Sequence, residues 1–369
     1  MPASIAQRRK LPWRLPVVTI KVFDFFAGCG GTSAGLRDAG MEVVFGLDFN
    51  EDAGQTFQAN FPDATFVLSD IRKFRPAQLA AMVEYHRQDG SKILFSGCAP
   101  CQPFSKQNGR RSTQDQRHDL LDEFSKFVGK LRPDFVFCEN VPGIQLFSTD
   151  EGPFYRFTEA LRRWKYHQNS WIVDSRDYGV PQRRRRLVLI ASRLTDRPLL
   201  GPPSPTHGPK TTKPYSVVRD WISDLPPLQA GESDPHDHAH RASCLSALNL
   251  KRIRSTPPGG TRRSWPEELV LACHRGDHGG HTDVYGRLRW DCPASAMTTR
   301  CISLSNGRFG HPDQDRAITP REAACLQTFP RDFTFVGNQA SIACQIGNAV
   351  PVLLAKTFGQ HFNSLCRIS

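Results

Sequence analysis

The chain has 369 residues, 39% of them hydrophobic and 10% aromatic, enough for a large core, about two packed units and folding without disulfide staples. Lys and Arg outnumber Asp and Glu by 48 to 36, a net charge of +12, and that excess favours a polyanionic partner. Eleven cysteines without framework spacing, and no secretory apolar segment at the start, point to free thiols in the cytoplasm; no apolar run approaches the roughly 18 residues of a membrane helix, so no membrane partner is expected.

Residues 1–16 are basic and punctuated by proline, and read as an irregular tail. From residue 17 apolar bursts alternate with helical patterns. Strands are expected at 17–26, 43–47, 65–68, 93–95 and 135–138, helices at about 32–39, 51–60, 76–85, 120–131 and 153–164, then a strand pair at 168–173 and 186–191. That alternation predicts a doubly wound α/β domain on a mostly parallel sheet over residues 17–194. The pattern collapses at Arg197-Pro198-Leu199-Leu200-Gly201-Pro202-Pro203-Ser204-Pro205, and residues 195–300 read as a second, smaller, irregular domain. Helical patterning returns in a 301–345 segment, where Thr319 precedes Pro320 as a cap precedes a first turn. An apolar helix within residues 346–369 is expected to pack back on the first domain.

Two strand ends carry chemistry. The fourth runs into Gly97-Cys98-Ala99-Pro100-Cys101-Gln102-Pro103, where the prolines stop strand and helix alike and leave Cys101 at the start of a polar loop. From the motif alone, a buried apolar role for that thiol stands as the alternative. Cys98 and Cys101 form a lone C-x-x-C with no second pair at zinc spacing, and the histidines at 236–240 and 274–281 do not meet such spacing either, so no metal is expected. The fifth strand ends in Glu139-Asn140-Val141, with apolar sequence neighbours that would raise a carboxyl pKa. Neighbouring strand ends of a parallel sheet open on one crevice, so the thiol and the carboxyl can face one bound ring.

The first strand ends in Phe26-Ala27-Gly28-Cys29-Gly30-Gly31, a glycine turn that lets a ligand approach the backbone but departs from the dinucleotide pattern. Asp48 closes the second strand, suited to ribose hydroxyls, and Asp70 the third, suited to an adenine amino group. So acidic a turn disfavours a pyrophosphate and suits a cationic sulfonium such as S-adenosyl-L-methionine.

These segments together resemble the bacterial cytosine-5 DNA methyltransferases, the modification-enzyme family. The match comprises Phe26-Ala27-Gly28-Cys29-Gly30-Gly31, Pro100-Cys101-Gln102, Glu139-Asn140-Val141, Gln182-Arg183-Arg184-Arg185-Arg186, Arg321-Glu322-Ala323-Ala324-Cys325-Leu326-Gln327-Thr328-Phe329-Pro330 and Gly347-Asn348-Ala349-Val350-Pro351, in the family's order. Val352 stands where the family usually has a second proline. The resemblance implies a Rossmann-like fold and a type II DNA (cytosine-5-)-methyltransferase acting on a flipped cytosine in double-stranded DNA. It implies Cys101 as nucleophile, Glu139 as acid, Arg184 holding the ring carbonyl and Arg186 positioning Cys101 or the backbone. It places S-adenosyl-L-methionine against Phe26 to Gly31, Asp48, Phe49, Asp70, Ile71, Pro100, Asn348 and Val350. Expected DNA contacts are Gln102, Ser105, Arg110 and Arg111 on the polar loop, and Arg254, Arg262 and Arg263 in the middle segment, where Lys251 and Arg252 also offer positive charge. A monomer is expected, with a cognate restriction endonuclease encoded nearby. A tRNA cytosine methyltransferase of the same family and a DNA-binding regulator with an inactive centre remain as alternatives.

Overall fold

The structure, a computed structural model, describes residues 19–100, 120–144, 152–194, 201–275 and 282–366. The elements are β1 (Ile20–Phe25), α1 (Gly31–Asp38), β2 (Glu42–Asp48), α2 (Glu51–Asn60), β3 (Thr65–Leu68), α3 (Pro76–Arg87), β4 (Lys92–Gly97), α4 (Leu120–Leu131), β5 (Phe135–Asn140), α5 (Pro153–Arg163), β6 (His167–Asp174), β7 (Gln182–Arg183) and β8 (Arg185–Ser192). They continue with α6 (Arg219–Ile222), α7 (Ala247–Arg254), β9 (Ala294–Ser295), α8 (Pro320–Leu326), α9 (Gln339–Asn348) and α10 (Val352–Cys366).

Seven strands form one sheet in the order β3-β2-β1-β4-β5-β8-β6. β1 to β5 pair in parallel, and β8 runs antiparallel between β5 and β6. The period of two along each strand splits the apolar side chains between two faces. Ile20, Val22, Leu94, Phe135, Phe137, Val188 and Ile190 join one core, with Leu354, Ala355, Phe358 and Phe362 of α10. Phe23, Phe25, Ile93, Phe95, Val136 and Leu189 join the other, beneath Leu79 and Val83 of α3, Phe124, Phe127 and Val128 of α4 and Phe157 and Leu161 of α5. Both faces are thus covered, as a parallel sheet requires.

α10 docks back on the sheet as its apolar sequence predicts, with Phe358 and Phe362 against Phe137 and Phe135. It crosses α1 so closely that a Cβ on Gly35 would lie 2.3 Å from the carbonyl oxygen of Val352. The apolar stretch Gln339–Cys366 has the length and a mean hydropathy of 1.2 that would suit a membrane span, yet 67% of that window is buried inside the protein, and Ala349-Val350-Pro351 breaks it into two helices.

The middle segment is sparse in regular structure, as its proline and glycine content predicts. A small core of Ile253, Trp265, Leu269, Tyr285, Leu304 and Ala317 holds part of it. Val218, Ile222, Leu288 and Met297 belong instead to the main core, so this segment is woven into the sheet domain as well as packed on itself. Thr319 caps α8 with a reciprocal capping box to Glu322. α9, capped by Asn338, has no counterpart in the sequence reading: its glycine, serine and glutamine content masks the helical period.

Candidate active site

The glycine turn follows β1 directly. Phe26, Gly28 and Gly30 all have positive φ, at 58°, 52° and 93°, which explains the two glycines and marks Phe26 as a residue held in an uncommon conformation. Asp48 reaches back from β2: its Oδ2 accepts from Gly28 N at 2.8 Å and its Oδ1 from Asn50 N at 2.9 Å. Burial pushes the Asp48 carboxyl up, against the pull of those backbone donors. Among the described residues no heavy atom lies within 4 Å of where a Gly28 Cβ would sit, so none of them packs on the backbone there. Beside it Phe49 is a large aromatic left 68% exposed, a flat apolar face suited to a stacked purine. Asp70 is clasped by Arg72, whose Nε lies 3.0 Å from both carboxylate oxygens; that arginine holds its carboxyl below the usual range. Ile71 is buried.

Gly31, the first residue of α1, meets the late motifs. A Cβ there would lie 2.9 Å from both Ala349 Cβ and Val350 O and 3.2 Å from Phe329 Cζ. Gly31→Ala is therefore expected to cost roughly 1–3 kcal/mol of stability through overpacking and to weaken cofactor binding; thermal melting and titration calorimetry with the cofactor measure both. Val350 is buried and Asn348 exposed.

Asp24, on β1 beneath the turn, is 1% exposed and accepts from Ser33 Oγ at 2.7 Å. Burial raises its pKa from 3.8 to about 6, outweighing the Ser33 and Ser96 hydroxyls that favour the charged form. A raised carboxyl pKa means the folded state binds this proton more tightly than the unfolded state. The resulting cost of ionisation is absent below about pH 4, grows through pH 4–6 and levels off at on the order of 3 kcal/mol above it. Asp24→Asn should thus stabilise the protein increasingly from pH 4 to 6 and by a constant amount at pH 7–8, as read by denaturant unfolding.

The carboxyl end of β5 presents Glu139, 8% exposed. Its sequence neighbours are apolar, but its spatial partner is a guanidinium: Arg186 Nε lies 2.7 Å from Glu139 Oε1, an ion pair without the alignment of a hydrogen bond. Asn140 Nδ2 donates to Ala99 O at 3.3 Å, tying this strand end to the segment that leads through the partly buried Pro100. Cys101, Gln102, Ser105, Arg110, Arg111 and the rest of the polar loop lie outside the described residues, as do His278 and His281. Burial raises the pKa of three thiols that lie at or just beyond the ends of β1, β4 and β5: Cys29 to about 12, Cys138 strongly, and Cys98 well above its usual range with the Glu139 charge as the second cause. Burial thus favours their neutral forms.

Along the arginine run burial alternates. Gln182 and Arg184 are buried and Arg186 partly so, while Arg183 and Arg185 are exposed. One expectation needs correction. Arg184, assigned to a ring carbonyl, instead donates to main-chain carbonyls: Nη1 to Met297 O at 2.8 Å, Nη2 to Gly347 O and Ala349 O at 3.2 Å. Gln182 likewise donates to Gln327 Oε1 at 2.7 Å and Leu326 O at 2.9 Å, and Gln327 donates to Ile346 O at 2.7 Å. The late motifs are therefore bolted to the arginine run, and they hold the 347–350 shelf against Gly31. Arg321 and Glu322 are also internal, paired with Asp237 and Arg316.

In the middle segment Arg254 and Arg263 are exposed and Arg262 partly buried, with Arg254 Nε 3.3 Å from Asp315 Oδ2. Arg252 is a second correction: it is buried, donates to Leu269 O at 3.0 Å and stacks over Trp265, so it offers no phosphate contact. His240 is a structural ligand of the backbone, bonded to Pro226 O at 2.8 Å and Thr319 Oγ1 at 3.0 Å.

Residues 20–363 match the family model for C-5 cytosine-specific DNA methylases. The chain belongs to that family. It is 39% identical over 344 residues to the type II methylase M.HgiDII of Herpetosiphon aurantiacus, covering 92% of this chain and 94% of the relative. It is 31% identical to the type II methyltransferase M1.HphI of Haemophilus parahaemolyticus, over 93% and 86% of the two chains. The crystal structure of Schizosaccharomyces pombe Dnmt2 methyltransferase superposes with a TM-score of 0.61 at 16% identity, covering 94% of this chain and 98% of that one, and shares the fold. The methylase is thus a DNA cytosine-5 methyltransferase of the type II kind, built on a mostly parallel sheet.

Proposed function

We propose that this methylase transfers a methyl group from S-adenosyl-L-methionine to carbon 5 of a cytosine flipped out of a specific short duplex sequence, as the modification half of a restriction-modification system. The observation that carries the reading is the pairing of Glu139 with Arg186 at 2.7 Å, at a strand end tied to Ala99.

The cofactor pocket fits the group. The exposed Phe49 face, the Asp48 carboxylate on the glycine turn and Asp70 suit a purine, a ribose and a positive sulfonium. When bound there, S-adenosyl-L-methionine supplies the methyl group.

Carbon 5 of cytosine is a poor nucleophile, so the Cys101 sulfur first adds to carbon 6 and makes the ring enamine-like. Cys101 takes that role by its place in the Pro100-Cys101-Gln102 motif, and burial disfavours the thiolate forms of Cys29, Cys98 and Cys138. Electron density arriving on the ring is received at nitrogen 3, where Glu139 supplies a hydrogen bond or a proton. Arg186, not Arg184, stands where it can hold both Glu139 and the ring carbonyl. After methylation the carbon 5 proton leaves and the sulfur is expelled. Flipping the base costs a few kcal/mol; Gln102, Ser105, Arg110 and Arg111 contribute DNA contacts around the extruded nucleotide, and Arg254, Arg262 and Arg263 contact the duplex. The enzyme acts as a monomer in the cytoplasm.

Incubating the purified protein with labelled cofactor and, in parallel, mixed-sequence duplex DNA and tRNA tests this reading. Label transferred to cytosine 5-positions of DNA and not of tRNA is expected, and no transfer to DNA would refute it.

A further inference from the structure

A groove of about 580 Å³ lies between the start of α7 and the turn at residues 299–306, with Ala340 and Ala343 of α9 on its third side. Its walls carry amides and hydroxyls, among them Asn249, Ser303, Ser305 and Asn306. Arg300 is the cation that lines it.

Several other arginines of this part of the chain are engaged. Arg287 pairs with Asp315, Arg289 with Asp291, Arg308 with Asp283, Arg316 with Glu322 and Arg321 with Asp237. Arg300 is exposed, and its guanidinium has no partner among the described residues.

Its support is rigid. The Thr298 carbonyl packs so closely on the end of α9 that a Cβ on Gly347 would lie 2.3 Å from its oxygen, and Arg300 N donates to Thr298 Oγ1 at 3.3 Å. Gly347 begins the shelf that packs on the cofactor turn, and the adjoining Cys301 is fully buried. The backbone that carries this planar five-donor fork is thus fixed against the end of α9, and the side chain lines a polar groove beside the 347–350 shelf. A guanidinium based at so fixed a backbone position and free of any competing ion pair suits the paired O6 and N7 acceptors of guanine, which lie on the major-groove edge and take a bidentate fork.

We infer that Arg300 reads a guanine base edge in the recognised sequence, with the 299–306 turn as part of the recognition surface. This rests on the DNA-methylating reading above, and it places a specificity residue at the edge of the 195–300 segment and extends the surface beyond it.

The test is competition within one randomised duplex pool, followed by bisulfite sequencing of the products of the wild type and of Arg300→Ala. Because discrimination is a ratio measured within one sample, partial misfolding of the variant does not affect it. The wild type is expected to require guanine at a position near the target cytosine. Arg300→Ala should lower discrimination at that position by roughly 5- to 150-fold and leave the other positions unchanged, with the salt dependence of DNA binding unaltered. Unchanged discrimination at every position would overturn the inference. So would a uniform loss across sequences with the salt slope reduced by about one, which marks a phosphate contact. In both cases wild-type methylation persists and the proposed function stands, whereas a wild type that methylates nothing in the pool overturns both.

Discussion

Glu139→Gln is expected to lower methyl transfer by about 10²- to 10⁴-fold, the usual contribution of a positioned acid or base. Glutamine keeps the shape of the side chain and can still donate to a ring nitrogen, but it cannot exchange a proton there. The substitution also leaves Arg186 without its anionic partner in a site where Glu139 is 8% exposed, which costs roughly 1–3 kcal/mol. The two effects separate cleanly. Single-turnover assays well below the melting temperature should show the loss of rate with cofactor affinity retained, because the glycine turn and Asp48 lie on other strands. Wild-type turnover by Glu139→Gln would remove Glu139 from the chemistry.

Arg184→Ala should do the opposite. The side chain is 4% exposed and donates to the carbonyls of Met297, Gly347 and Ala349. Its removal leaves buried acceptors unpaired and a void between β8 and the 347–350 shelf. A loss of roughly 3 kcal/mol or more is expected, together with weaker cofactor binding, since that shelf sets the position of Gly31. The fall in turnover at saturating cofactor and DNA should be small beside that of Arg186→Ala. Denaturant unfolding and the separation of KM from kcat distinguish the two arginines. An Arg184→Ala protein of native stability that is catalytically dead would restore Arg184 to the ring carbonyl.

That exchange of roles shows what the amino-acid pattern conveys. Strand alternation turns Arg183 and Arg185 outward, as observed, but it also puts Arg184 and Arg186 on one strand face, whereas Arg184 lies between β7 and β8 and outside either strand. It carries no information on depth, and depth decides which arginine meets main-chain carbonyls and which meets a carboxylate. The sheet and its helices were legible because buried parallel strands are short, apolar and bounded by turn residues, and the ends of β1 and β5 announce themselves by glycine and by an acid following an apolar run. α9 was not legible, since its burial comes from late-motif packing that has no local periodicity. Arg252 was misread for a related reason: a basic run looks solvated in sequence, while α7 turns one of its members inward onto Trp265. Arg300 gives no local signal, because the ion pairs that engage Arg287, Arg308, Arg316 and Arg321 and leave it unpaired among the described residues join positions distant in sequence or hidden in the core.

The central claim is covalent attack on a cytosine ring by one cysteine, and trapping tests it most directly. A duplex carrying 5-fluorocytosine at the methylated position, incubated with enzyme and cofactor, blocks loss of the substituent at carbon 5 and so preserves the sulfur bond to carbon 6. The wild type should yield a protein–DNA adduct that survives denaturing electrophoresis and maps to Cys101 by peptide mass, with none formed by Cys101→Ala. An adduct of equal yield in Cys101→Ala, or linkage through another residue, would contradict the account.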